Sequence, residues 1–353
     1  MDNKIKITKI EKSGIESFDF DNLPPFGHAF TDHFFTADYI DGEWKNFEIK
    51  PLGKLAIHPA NLTLHYGQTI FEGMKAFLTN DGEVILYRPE QHAKRFNRSA
   101  YRMSMPQVPE ELFMEAIKSL VLLEKDWIPK SEGSALYLRP VMIAMDDVIG
   151  VKPSKTYKFM VLTLPSGPYY NRPLSLIAEK EYVRAVKGGI GEAKTAGNYG
   201  ASLFPFNKAK EAGYDQIMWL DAFEHKYVQE IGTMNIFFVI NGTVITPELD
   251  GAVLHGITRD SIITLLKAKG YKVEERPISI DELKEAYDNG TLNEVFGSGT
   301  AAIVAKIYKL AIDDKIMQFD VDKFKIADFA KTFINKVRAG EIEDEFGWIV
   351  NLT

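Results

Sequence analysis

The chain of 353 residues contains no cysteine, which excludes disulfides, thiol nucleophiles and cysteine-based metal centres together. Its chemistry must come from lysine, tyrosine, arginine, carboxylates or a cofactor. A basic tract is lacking as well: 42 Lys and Arg stand against 49 Asp and Glu, for a formal charge of −7. Nucleic acids and anionic membrane surfaces both demand clustered cations, so a small-molecule partner is favoured. Nor is any apolar run long enough to span a bilayer; Ile236–Ile240 is strand-sized. The opening stretch MDNKIKITKIEKSGIE has alternating charges and neither the apolar core nor the cleavage site of a signal peptide, so the cytoplasm is the expected compartment.

What is present is ordinary globular composition, 45% hydrophobic and 26% charged. The length exceeds what one hydrophobic core usually fills. Two domains are expected, over 1–165 and 177–353, joined by a loop over 166–176. Residues 28–57 alternate apolar and polar positions, with Asp41-Gly42 where a hairpin turn belongs. MKAFLT and VILY predict a second strand pair around Asn80-Asp81-Gly82. Pro89 then opens a helix whose Lys94, Arg95 and Arg98 crowd one turn. Apolar residues recur at helical spacing from Glu110 to Leu123, and the strands LYLRPVMIAM and KFMVLTL follow. PSGPYYNRPLS, with three prolines and a glycine, resists helix and strand alike. Beyond it come a strand near Leu176, a glycine-rich segment and a helix. YVQEIGTMNIFFVI reads as a strand paired with TVIT across Asn241-Gly242. The helices TRDSIITLLKAKG and DELKEAYDNG, the strand NEVFGSGT and a final helical region complete the chain.

The most informative segment is GGIGEAKTAGNYGASLF, residues 188–204. Glycines this dense around one lysine and one tyrosine hold backbone close to something. The segment matches neither a P-loop, which needs Gly-Lys followed by Ser or Thr, nor the glycines of a dinucleotide-binding βαβ unit. By composition alone it is most often a tight loop. Asp146-Asp147 and the neighbours His28, Asp32 and His33 complete no ligand set with metal spacing, so no metal site is assigned.

GEAKTAGNYG, together with EIGTMN and FGSGTA at their spacing, resembles the branched-chain amino acid aminotransferases, pyridoxal-phosphate (PLP) enzymes of fold type IV. The likeness covers nearly the whole chain. LHYGQTIFEGMKAF favours this group over D-amino acid aminotransferase and aminodeoxychorismate lyase, which share the fold. The resemblance implies an α/β (α+β) protein with a small N-terminal α/β domain, a larger C-terminal domain with a barrel-like sheet, and PLP between them. It implies an assembly that is at least dimeric, a homodimer being expected, in which the partner subunit helps close the pocket. The activity implied is reversible amino transfer between leucine, isoleucine or valine and 2-oxoglutarate. After SGTA, Ala302 and Ala305 stand where mammalian members carry a redox Cys-x-x-Cys, so thiol regulation there is excluded.

The same resemblance assigns roles residue by residue. Lys194 carries PLP as a Schiff base and then moves the proton, and it must be unprotonated to condense with an aldehyde. Tyr199 meets the phenolic oxygen of the ring. Glu230 pairs with the pyridine nitrogen and keeps it protonated, so that the ring draws electrons better; without the resemblance it would be an edge glutamate in water. Arg95 binds the phosphate, with Lys94 and Arg98 as solvated neighbours. Ile257 with Thr258, and Thr300, offer N–H groups and a hydroxyl at two predicted helix starts. Phe26, Tyr66, Phe71, Tyr137, Val151 and Tyr169 match positions of the apolar pocket. Thr233 and Ala301 match positions near the substrate carboxylate, and Arg139 is expected to orient Tyr66 and the distal carboxylate of glutamate. Lys75, the rival lysine, reads as a strand residue pointing to solvent. A PLP-binding carrier without catalysis is the alternative of another class, and retention of Lys194, Tyr199 and Glu230 together weighs against it.

Overall fold

The computed structural model describes residues 4–168, 170 and 172–353. The chain divides into two compact units, one of Met1–Tyr169, Ala193–Ala196 and Lys336–Thr353, the other of Tyr170–Glu192 and Gly197–Asn335. Among the described residues each unit holds a nine-stranded sheet. No described helix is long and apolar enough to cross a membrane.

In the first unit the strands run, in spatial order, Lys6–Ile7, Glu43–Pro51, His33–Ile40, Tyr157–Ser166, Ala135–Ala144, Met74–Leu78, Val84–Tyr87 and Ile349–Asn351, with Thr69–Phe71 also on Ala135–Ala144. The first hairpin turns at Asp41 and Gly42, both left-handed (φ 55° and 83°), the geometry that matches strand twist and suits this dipeptide. Side chains alternate across a strand, and here the two faces do different things. Met74, Ala76, Leu136, Leu138 and Phe159 lie in the core, which the helices Pro89–Arg102 and Glu110–Leu123 fill with Phe96, Ala100, Phe113 and Leu120. Phe113 stacks on Phe159 with centroids 5.8 Å apart. Burying each such aromatic contributes roughly 2–3 kcal/mol. The alternate positions Phe71, Lys75, Tyr137 and Arg139 are thereby turned to the opposite face.

In the second unit the order is Val228–Ile231, Gln216–Leu220, Leu174–Glu179, Ile303–Ile312, Leu292–Gly299, Asn235–Ile240, Thr243–Thr246 and Val273–Glu275, with Lys315–Gln318 beside Ile303–Ile312. Three sequence expectations are corrected here. YVQEIGTMNIFFVI is two strands, because Gly232 takes a left-handed φ of 49° and the turn at 232–233 separates Val228–Ile231 from Asn235–Ile240. The final region is α-helical only over Ile326–Ala339; before it Ile303–Ile312 is a strand whose Ile303 pairs back to Gly299. Thr300 therefore sits in a hairpin turn and not at a helix start. The loop expected over 166–176 is shorter than its composition suggested, since strands claim Ser166 and Leu174 to Leu176.

Candidate active site

Lys194 lies in the short segment that clusters with the first unit. Its backbone is clamped on both sides: the Phe71 N–H donates to Lys194 O at 3.0 Å, and the Lys194 N–H donates to Ser99 Oγ at 2.9 Å. Thr195, fully buried, donates its hydroxyl to Thr69 O at 2.7 Å. The side chain is thereby aimed over the Phe71 ring, with Nζ 5.0 Å from its centroid. The half-buried amine is thereby held in one place against an aromatic face.

Ser99 belongs to the helix Pro89–Arg102, and two more residues of the same helical face, His92 and Arg95, converge on one carboxylate. Arg95 donates from Nε to Glu72 Oε1 at 2.6 Å and from Nη2 to Glu72 Oε2 at 2.8 Å, while His92 Nδ1 lies 2.7 Å from Oε2. Glu72 is 0% exposed. Burial alone would push its carboxyl up, but the Arg95 charge, with the Arg95 and His92 hydrogen bonds, holds it well below the usual carboxylate range. Burial, helped by Arg95 and Lys194, drives the His92 imidazole down, so a neutral ring donates to Glu72. The fork holds the guanidinium in one orientation.

On the same face of the sheet Phe71 also carries the Arg139 guanidinium, 4.8 Å from its centroid. Arg139 donates from Nη2 to Tyr137 Oη at 3.1 Å, and Tyr137 meets Phe26 edge to face at 4.9 Å. Gly73 explains how the hydroxyl gets there: a β-carbon at this position would fall 2.1 Å from Tyr137 Oη. Lys194, Phe71, Arg139, Tyr137 and Phe26 thus form one continuous group. The expectation that Arg139 orients Tyr66 is corrected, since its hydroxyl partner is Tyr137; Tyr66 is 41% exposed with His65 as its ring neighbour. Val151 is 89% exposed and stands apart from the group within this chain. Tyr169 lies outside the described residues.

Lys75 does not point to solvent. It is 6% exposed, because strand alternation places it on the Phe71–Tyr137 face, opposite Tyr137 in register. Burial first, then the charge of Arg338, pushes its amine down to about 7.

In the second unit the centre is Glu230, 3% exposed. Its Oε1 accepts the Leu254 N–H at 2.6 Å and lies 3.5 Å from Asn235 Nδ2, while Arg184 Nε is 3.3 Å from Oε2. This is no edge glutamate in water. Asn235 also donates to Leu254 O, and a β-carbon on Gly256 would fall 1.9 Å from Asn235 Oδ1. Gly256 caps the helix Ile257–Ala268 and contributes no side chain to its first N–H groups; Ile257 and Thr258 there are buried, as an oxyanion site at a helix start requires. Tyr199, half-buried, stands in the first turn of the helix Ala196–Glu211. Thr233 is exposed in its turn; Thr300 and Ala301 are half-buried in theirs, next to Ser298, whose buried Oγ lacks a hydrogen-bond partner.

Glu72, His92, Ser99, Arg184 and Asn235 escaped the sequence reading. His92, Arg95 and Ser99 at spacings of three and four were a legible signal, since they share one helical face. Arg184 and Asn235 had none, because both meet the loop at Ala252 and Leu254, 68 and 19 residues further on.

Taken unit by unit, the first supplies an amine and a guanidinium, and the second a helix start, a buried anion and the orphan Ser298 hydroxyl, the chemical types that a phosphorylated aromatic aldehyde would need. Comparison with known proteins agrees. The model of the family described as amino-transferase class IV matches residues 69–309. Branched-chain-amino-acid transaminase 1 of Bacillus subtilis is 49% identical over 335 residues, 93% of this chain and 94% of that protein. Branched-chain-amino-acid aminotransferase 2 of the same organism is 46% identical over 334 residues, with coverages of 93% and 92%. The branched-chain amino acid aminotransferase of Escherichia coli superposes with a TM-score of 0.74 at 26% identity, covering 90% of this chain and 99% of that one. With two thirds of its length inside the family's boundaries and near-complete alignment to a curated member, the chain belongs to the class IV aminotransferases.

Proposed function

We propose that this chain is a branched-chain amino acid aminotransferase, exchanging the amino group of leucine, isoleucine or valine with 2-oxoglutarate on pyridoxal 5'-phosphate bound to Lys194. The observation that carries the proposal is the setting of Lys194: its backbone is clamped by Phe71 and Ser99, and its amine lies over an aromatic face. When bound, the cofactor supplies an electron sink for the bond broken at the substrate α carbon. The protein's own groups do the rest. Lys194 would hold the aldehyde, and its amine would move the proton to and from that carbon. Glu230 would serve the ring nitrogen and Tyr199 the phenolic oxygen. Arg95, oriented by Glu72, the N–H groups of Ile257, Thr258 and Thr300 and the two threonine hydroxyls would hold the phosphate.

Phe26, Phe71 and Tyr137 offer the apolar wall a branched aliphatic side chain needs, and Tyr66 and Tyr169 are proposed as further substrate-binding residues. Thr233 and the Ala301 amide receive the substrate carboxylate, and Arg139 with Tyr137 receives the distal carboxylate of glutamate. Val151, too exposed to serve its own chain, is proposed to line the pocket of the partner in a homodimer, and the cytoplasm is proposed as the compartment. The test is single-turnover absorbance: L-leucine converts the visible band of the loaded protein to that of the amine form, and D-alanine leaves it unchanged. Conversion by D-alanine alone would reassign the substrate, and no conversion by either would reject transamination.

A further inference from the structure

Arg184 has no part in the assignments above, yet it forms an ion pair with Glu230. Only 8% of its side chain is exposed, and Nε stands 3.3 Å from Glu230 Oε2. Its Nη2 donates to the carbonyls of Ala252 and Gly191. Those carbonyls are neutral and fix the guanidinium without cancelling its charge. Nε has no hydrogen-bond partner, so its contribution to Glu230 is charge held at a set distance. The fixing is tight. A β-carbon on Gly191 would fall 2.3 Å from Ala252 O, so only glycine lets these two carbonyls share one guanidinium. The same loop returns the Leu254 N–H to the other oxygen of Glu230. One loop, 252–254, therefore registers the cation and the anion together.

We infer that Arg184 is a positioning residue that decides where the proton shared by Glu230 and the cofactor's ring nitrogen resides. The inference rests on Glu230 serving that nitrogen, and it goes beyond that reading by naming what sets the proton. With the proton on the ring, the Glu230 anion lies between two cations. With the proton on the carboxylate, Arg184 is left buried without a counter-charge, which is the costly arrangement. A cation within about 4–6 Å favours a carboxylate's charged form by about 1–3 pH units, so the ratio of the two proton positions shifts about 10- to 1,000-fold toward the ring.

The experiment loads the full-length chain with pyridoxal phosphate labelled with 15N in the ring and reads the nitrogen resonance. Arg184→Gln retains a donor for Ala252 but no charge, whereas Arg184→Lys retains charge. Expected are a wild-type line at the protonated position, an Arg184→Gln line moved downfield toward the free base, and an Arg184→Lys line close to wild type. If Arg184→Gln does not accumulate as folded protein by circular dichroism, Arg184→Met makes the same comparison. A neutral variant whose line stays with wild type overturns the inference, as does an Arg184→Lys line displaced as far as the neutral one, which would make the role purely structural. Glu230→Gln separates the two layers: if its line also stays with wild type, Glu230 does not serve the nitrogen and the underlying assignment fails.

Discussion

Lys75→Met is expected to stabilise the protein, and by an amount that changes with pH. The lysine is 6% exposed and its amine is pushed from 10.5 down to about 7 by burial and by Arg338. At about 1.4 kcal/mol per pH unit, that displacement corresponds to ~5 kcal/mol of opposition to folding at neutral pH. The sign follows from which state takes the proton first. The unfolded lysine protonates near 10.5 and the folded one only near 7, so between these values the unfolded chain holds more protons and stability falls as pH falls. Above 10.5 both states are neutral and the opposition vanishes; below about 7 both are charged and it is constant. Methionine matches the stem without the charge, and packing changes of that kind cost under about 1.5 kcal/mol at any pH. Urea unfolding of wild type and variant at about pH 6.5, 8.0 and 9.5 is the assay. The advantage of Lys75→Met should be largest at the lowest of these and shrink by roughly 3 kcal/mol at the highest. Parallel pH profiles for the two proteins would refute the reasoning, since they would place the Lys75 amine at its ordinary value in the folded state.

Borohydride reduction of the loaded protein, followed by peptide mapping, should place the label on Lys194, and Lys194→Ala should abolish both label and turnover; label on Lys75 would reassign the site. Glu72→Gln leaves Arg95 buried without its counter-charge and should cost about 3–5 kcal/mol of stability. Because the Glu72 carboxyl is held low, its contribution is full at neutral pH and is lost as pH falls below the ordinary carboxylate range, so the gap between Glu72→Gln and wild type should narrow in acid denaturation. Gly73→Ala places a carbon where the Tyr137 hydroxyl lies; kcat/KM for leucine should fall by about 10- to 100-fold through misplacement of the wall, with global stability changed far less. Arg139→Met should raise KM for glutamate and 2-oxoglutarate more than for leucine, and equal effects on both would count against its carboxylate role.

Local signals in the sequence were enough for the elements that place Lys194 and Arg95. Asp41-Gly42 and Asn241-Gly242 marked their hairpins because left-handed turns demand such residues, and the helices 89–102 and 110–123 declared themselves by Pro89 and by apolar spacing. What was not legible depends on pairing across the chain. Lys75 looked like an exposed strand residue, since alternation tells which residues share a face but not that the second face is also covered. Thr300 looked like a cap because Gly-Thr-Ala opens helices as readily as hairpins; only the return of Ile303 to Gly299 decides between them. The Glu72 fork and the Arg184 contact likewise arise from tertiary proximity, which no local pattern encodes.

The strand Ile349–Asn351, hydrogen-bonded to Val84–Tyr87, ties the first sheet to a stretch far downstream in the sequence. Residues 336–353 are made on the ribosome after every residue of the second unit. A nascent chain stalled anywhere before Ile349 therefore carries a first sheet with an open edge at Val84–Tyr87, a ready template for intermolecular pairing. For this polypeptide, translation has to pass residue 349 before its earliest-made sheet is sealed, so premature stops just short of that codon should yield aggregates from an otherwise complete N-terminal half.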